Sequence, residues 1–146
     1  MQDRFKFRVV YYNDVEKKYF IFEPDLISAD GTARAYAYGE SGADEYYDTV
    51  TLNQSTGLKD KNGKLIYEGD IVKFGEFYDN EWNSFDIGKV YWGGKFDYPA
   101  FELQCSTVDF DMSNGLSYIF DSGLNIEIIG NIYENPELLE VENGNK

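Results

Sequence analysis

Residues Gln54 to Lys73 read QSTGLKDKNGKLIYEGDIVK. Two turn signals punctuate this stretch and set the fold class. Asn62-Gly63 falls between Asp60-Lys61 and the run Lys64-Leu65-Ile66-Tyr67, and both residues of the pair tolerate positive φ, so a tight turn joins two extended segments there. Glu68-Gly69-Asp70 is a second turn, with Gly69 at the left-handed position. Ile71-Val72-Lys73-Phe74 then reads as a strand, because β-branched and aromatic side chains fit a pleated, half-buried surface. The stretch is a hairpin feeding a strand. A second use stays open: a loop that presents Lys59, Asp60, Lys61 and Lys64 to a partner.

The same rhythm continues on both sides. Phe5 to Tyr12 alternates, with Phe5, Phe7 and Val9 on one face and Lys6, Arg8 and Val10 on the other. Asn13-Asp14 breaks that strand, Tyr19 to Phe22 returns as its hairpin partner, and Pro24 ends it. Asp30-Gly31 and Gly39 to Gly42 are turn-like, Thr32 to Tyr38 is a candidate short strand, and Thr49 to Leu52 is a strand entering the opening stretch. Gly75 to Ser84 reads as an acidic, aromatic loop holding Tyr78, Asp79, Asn80 and Trp82. Ile87 to Trp92 is a strand with a bulge or close approach at Gly88; Gly93-Gly94 turns it into Phe96 to Gln104, where Pro99 marks an edge. Leu116 to Phe120 fits either a strand or a helical turn. Asn125 to Tyr133 is the last strand, with a bulge at Gly130; Asn135 then caps a short helical start on Pro136. Many short strands with little helix give a mainly β fold: a small SH3-like barrel or sandwich with an N-terminal β-hairpin and a short C-terminal helical turn. One domain over residues 1–140 is expected, with a weak module boundary near Asn53 and a disordered polar tail over residues 141–146.

Two segments carry a family resemblance. TGLKDKNGKLIYEGDIVK (Thr56 to Lys73) and IIGNIYENPELLE (Ile128 to Glu140) resemble, in order, the signatures of the YopX family of phage and prophage proteins. Arg4-Phe5-Lys6-Phe7-Arg8 is similar to that family's basic and aromatic start. The resemblance implies a β-rich protein encoded by a bacterial phage. It implies no activity and no site residues.

Composition narrows the chemistry. The chain of 146 residues has no histidine, which removes histidine-based nucleophile activation and histidine metal sites. The lone Cys105 cannot form an internal disulfide, has no neighbouring cation to activate it, and reads as a small hydrophobe. No phosphate loop occurs: Gly93-Gly94-Lys95 is followed by Phe96. Asp109 to Gly115 resembles the start of a calcium loop, but Asn114 stands where the sharp turn needs glycine, and Phe120 stands at the twelfth position. A solvated turn is the better account of Asp109 and Asp111. No enzyme activity and no cofactor are therefore expected. With no long apolar run and no leader-like start, the expected setting is the cytoplasm of a bacterial host, with no membrane contact.

The net charge is −14, and no lysine or arginine occurs between Lys95 and Lys146. Direct nucleic-acid binding is not expected, because it rests on cations. A patch of Arg4, Lys6, Arg8, Lys59, Lys61 and Lys64 would be its one route. Two functions remain. The first is a protein-binding or regulatory module, with Tyr78, Trp82, Trp92, Tyr98, Lys59 and Lys61 as candidate partner contacts. The alternative is an acidic DNA mimic that presents Asp97, Glu102, Asp109, Asp111, Asp121 and Glu127 in a row to a host DNA-binding protein. Homo-oligomers are an added expectation for a small β domain with exposed edges.

Overall fold

A computed structural model describes residues 6–23, 26–27, 33–35, 45–47, 51–93, 101–105 and 115–140. The chain is mainly β, built on two four-stranded antiparallel sheets, one of them a half-barrel. The first sheet contains β1 (Phe7–Asn13), β2 (Lys18–Phe22), β6 (Thr51–Lys59) and β7 (Leu65–Tyr67), in the order β2-β1-β6-β7. The second contains β8 (Asp70–Tyr78), β9 (Glu81–Trp92), β10 (Phe101–Cys105) and β11 (Asn125–Asn131), in the order β10-β9-β8-β11. Between β2 and β6 in sequence, β3 (Leu26–Ile27), β4 (Ala33–Ala35) and β5 (Glu45–Tyr47) form a small antiparallel sheet.

The turns follow from side-chain chemistry. In the β1–β2 hairpin the Asn13 carboxamide oxygen accepts from the amides of Val15 and Glu16 (2.9 and 2.8 Å), and Lys17 takes the left-handed conformation. At the β6–β7 turn Gly63 has φ of 83°. Asp60 Oδ1 holds that turn by accepting from the amides of Asn62 and Lys64, both at 2.9 Å. Gly69 has φ of 89° between β7 and β8, as its place in Glu68-Gly69-Asp70 implies.

Residues 75–84, expected as a loop, form a hairpin instead. β8 continues to Tyr78 and β9 starts at Glu81, so only Asp79 and Asn80 turn, with φ of 55° and 61°. Two left-handed residues in succession match the twist of the flanking strands. Asp and Asn are the non-glycine residues best able to adopt that conformation. The register shifts between Glu76 and Phe77, so Asn83 is an extra residue on β9. Gly88 makes a close approach and not a bulge: pairing runs through it in register, and an added Cβ would lie 3.2 Å from Cys105 Sγ. The bulge in β11 falls between Ile128 and Gly130.

The core lies on the inner face of the second sheet. Val72, Phe74, Val90, Leu103 and Ile126 meet Leu116 and Ile119 of the helix α1 (Gly115–Asp121), with Ile66 entering from β7. Leu116 and Ile119 stand three residues apart and so share one helix face. The two readings of Leu116 to Phe120 thus resolve to a helix, stopped by Gly123 in the left-handed conformation while the Leu124 amide donates to the Ile119 carbonyl. Cys105 is partly buried against this core.

Pro136–Leu139 forms a 3-10 turn, but Asn135 does not cap it with its side chain. The Asn135 carboxamide oxygen reaches back to accept from the Asn131 amide (3.3 Å), over Gly130. β6 passes through Asn53 unbroken, pairing with β1 over Thr51 to Gln54 and with β7 from Ser55 onward. The turns expected near Asp30 and Gly39, Gly94, Pro24, Pro99, the calcium-like residues 109–114 and the tail 141–146 lie outside the described residues.

Gly75 tests this packing. Its φ is 152°, and a Cβ there would sit 2.2 Å from the Ser84 carbonyl oxygen. Gly75→Ala should lower unfolding free energy by about 3 kcal/mol in urea titrations. Gly63→Ala, where no atom lies within 4 Å, should lose only about 1 kcal/mol, from its positive φ alone.

Candidate functional site

Two places in the fold gather charged and aromatic side chains. The first is the junction between the sheets, centred on Arg8. Its Nε donates to Asn53 Oδ1 (3.1 Å), and its two terminal nitrogens donate to Asp70 Oδ1 (2.6 Å) and the Glu68 carbonyl (3.1 Å). The guanidinium also lies 5.0 Å from the Tyr67 ring centroid. Asp70 Oδ2 accepts from the Tyr67 amide (2.8 Å), and Asn53 Nδ2 donates to the Tyr133 hydroxyl (3.0 Å). Both ends of the ion pair are buried, with side chains 11% (Arg8) and 3% (Asp70) exposed. Gly69 fits beneath: a Cβ there would lie 3.2 Å from Asn53 Oδ1 and 3.3 Å from the Tyr133 ring.

Asp60 makes a second tie a few residues away. Its Oδ2 accepts from the Ile128 amide (3.0 Å), and the Lys61 amide donates to the Ile126 carbonyl (2.8 Å). The stretch of residues 56–73 and the stretch of residues 128–140 are therefore two halves of one joint. Asp60, expected among the residues a loop would offer to a partner, is buried as the structural clasp. Arg8, expected in a basic surface patch, turns inward because Asp70 supplies its counter-charge there. Beside the pair lies a cleft of about 320 Å3, walled by Arg8, Asp70, Ile21, Lys64 and Glu134.

Burial shapes the titration of both acids in this joint. It pushes the Asp70 carboxyl up from its ordinary value, against the pull of the Arg8 guanidinium and the Tyr67 amide. Tyr67 is pushed up to about 12, first by burial and then by the Glu23 carboxylate, to which its hydroxyl donates (3.3 Å).

The second place is the outer face of the β8–β9 hairpin. Three rings stand in a row: Phe77 to Trp82 at 5.2 Å between centroids, and Trp82 to Phe85 at 6.2 Å. A cation covers each end. Lys61 Nζ lies 4.1 Å from the Phe77 centroid, and Lys73 Nζ lies 3.9 Å from that of Phe85 and 5.4 Å from that of Trp82. Phe85 is 46% exposed. Neither ammonium pairs with a carboxylate among the described residues.

The YopX protein model matches residues 6–140. The chain belongs to the YopX family. No curated protein matches it. Among solved structures it is similar to the crystal structure of protein EF1440 from Enterococcus faecalis, at 24% identity and a TM-score of 0.49, covering 92% of this chain and 96% of that one. The family's two signature segments, as they stand here, are the halves of the buried joint, so in this YopX protein they hold the sheets together.

The six residues expected to contact a partner do not form one patch. Trp82 and Lys61 meet in the ring row, while Tyr78, 57% exposed, falls on the other face of β8 by strand alternation. Trp92 lies at the opposite end of β9, edge-on to Phe101 at 4.7 Å. Lys59 is at the end of β6, and Tyr98 lies outside the described residues. Phe77, Phe85 and Lys73 complete the row and were missed. Treating Asp79-Asn80 as a two-residue turn would have placed Phe77 opposite Trp82 and exposed them. Of the acids proposed to mimic DNA, Glu102 is buried, Asp121 is exposed at the end of α1, and Glu127 pairs across from Lys73 on β11; Asp97, Asp109 and Asp111 lie outside the described residues. No helix among the described residues is long and apolar enough to cross a membrane.

Asp70→Leu strands the Arg8 charge and should cost roughly 3–5 kcal/mol in urea unfolding, whereas Arg8→Met with Asp70→Leu should recover most of that loss. Tyr67 gives a pH signature. Its folded value near 12 lies above the unfolded value near 10, so the folded state holds the extra proton between them. Stability should fall as pH rises from 10 to 12, and Tyr67→Phe should flatten that part of the curve.

Proposed function

We propose that this YopX protein is a non-enzymatic binding module that docks another protein through the outer face of its β8–β9 hairpin. The observation that carries this is the row Phe77, Trp82 and Phe85, left partly exposed and flanked by two cations that form no ion pair among the described residues. Aromatic side chains on a rigid hairpin lose little entropy on binding and make good anchors. The absence of enzymatic work is supported by the missing histidine and by the joint, where the Arg8–Asp70 pair is spent on internal hydrogen bonds. The setting we assign, the cytoplasm of a phage-infected or lysogenic bacterium, rests on the family likeness alone. The DNA-mimic alternative ranks second because burial removes Glu102 from any exposed row of acids.

Affinity capture from host lysate with quantitative mass spectrometry tests the docking face. A specific partner should be retained by the native chain and reduced roughly tenfold or more by Phe85→Ala or Trp82→Ala. Retention unchanged in both variants, with folding intact, would overturn the proposal.

A further inference from the structure

The same hairpin face specifies the chemistry of what it binds. We infer that its ligand is a short extended acidic peptide segment of a partner protein, with two carboxylates bracketing an apolar or aromatic side chain. This rests on the docking role proposed above. The order along the face is Lys61, Phe77, Trp82, Phe85, Lys73, a cation at each end of an aromatic row.

Acids outnumber bases 27 to 13, and Glu127 stands directly across from Lys73, yet neither lysine forms an ion pair among the described residues. Instead each ammonium rests on a ring face, which attracts it without neutralising its charge. A carboxylate approaching from solvent meets an ammonium already held in place, so it pays less to order a flexible side chain. An apolar side chain between the two carboxylates covers Trp82 and the exposed edge of Phe85. In an extended peptide alternate side chains point the same way, so the two carboxylates and the apolar side chain stand at every second position, with about 13 Å between the outer two.

A nucleic-acid strand is the poorer fit. It brings a charge with every nucleotide, against two cations on a face where Glu127 stands directly across from Lys73. A peptide can confine its two charges to the two lysines.

The test uses the full chain and three labelled probes in fluorescence anisotropy: a Glu-Ser-Phe-Ser-Glu peptide, its Gln-Ser-Phe-Ser-Gln counterpart and oligo(dT). The acidic peptide should bind saturably and at least tenfold tighter than the glutamine peptide. Lys73→Gln and Lys61→Gln should each weaken it roughly fivefold, and Phe85→Ala should weaken both peptides. Added salt should weaken the acidic peptide alone. Equal binding of the two peptides, insensitivity to both lysine changes, or tighter binding of oligo(dT) would each overturn the inference. So would sedimentation showing that the face is covered by a second copy and released by Phe85→Ala. If the peptides fail while host capture still depends on Phe85, the docking role stands and only the acidic ligand falls.

Discussion

The buried Arg8–Asp70 ion pair is the constraint on which the two-sheet arrangement depends. A guanidinium and a carboxylate out of water are tolerated only when their hydrogen-bonding capacity is nearly exhausted. Here the surrounding chain supplies it: Asn53 and the Glu68 carbonyl to Arg8, and the Tyr67 amide to Asp70. Each donor or acceptor comes from a strand or turn that must stand at one distance and angle. The pair therefore fixes where β1 crosses the β7–β8 corner. Gly69 is needed there twice, for its positive φ and for the absence of a side chain beneath Asn53 and Tyr133.

The second clasp works by a different economy. Asp60 uses one oxygen to close the β6–β7 turn and the other to take the Ile128 amide, beside the bulge in β11. The amide lies on the side of β11 turned away from β8, where no strand among the described residues offers a partner. A turn of the first sheet thus covers the border of the second. With the joint rigid and internally satisfied, the exposed chemistry is displaced to the projecting β8–β9 hairpin, where rings and lysines meet solvent.

Local chemistry was legible where it acts over a few residues. Gly63 and Gly69 took the left-handed conformations their turns imply, the β11 bulge fell at Gly130, and the mainly β class followed from closely spaced strands. What was illegible depended on distant partners. Arg8 alternates with Phe7 and Val9 like any surface residue, and only Asp70 makes it an interior one. Asp79-Asn80 lacks the glycine that usually betrays a two-residue turn, so the aromatic hairpin resembled a loop. Asn135 satisfies every local rule for a cap, yet Asn131 competes for its oxygen. The candidate face was half visible: Trp82 and Lys61 could be named, but their neighbours Phe85 and Lys73 required the register.

The joint also sets a clock. Its bonds span 62 residues from Arg8 to Asp70, 68 from Asp60 to Ile128 and 80 from Asn53 to Tyr133. Closing such long loops costs entropy before any contact returns it, which places this topology among slow folders, on the order of milliseconds to seconds. During synthesis the first sheet emerges from the ribosome well before Ile128 and Tyr133 are made. Until then Asn53 lacks its tyrosine and the Asp60 carboxylate lacks its far amide, and the nascent chain waits in a half-latched state for its last strand.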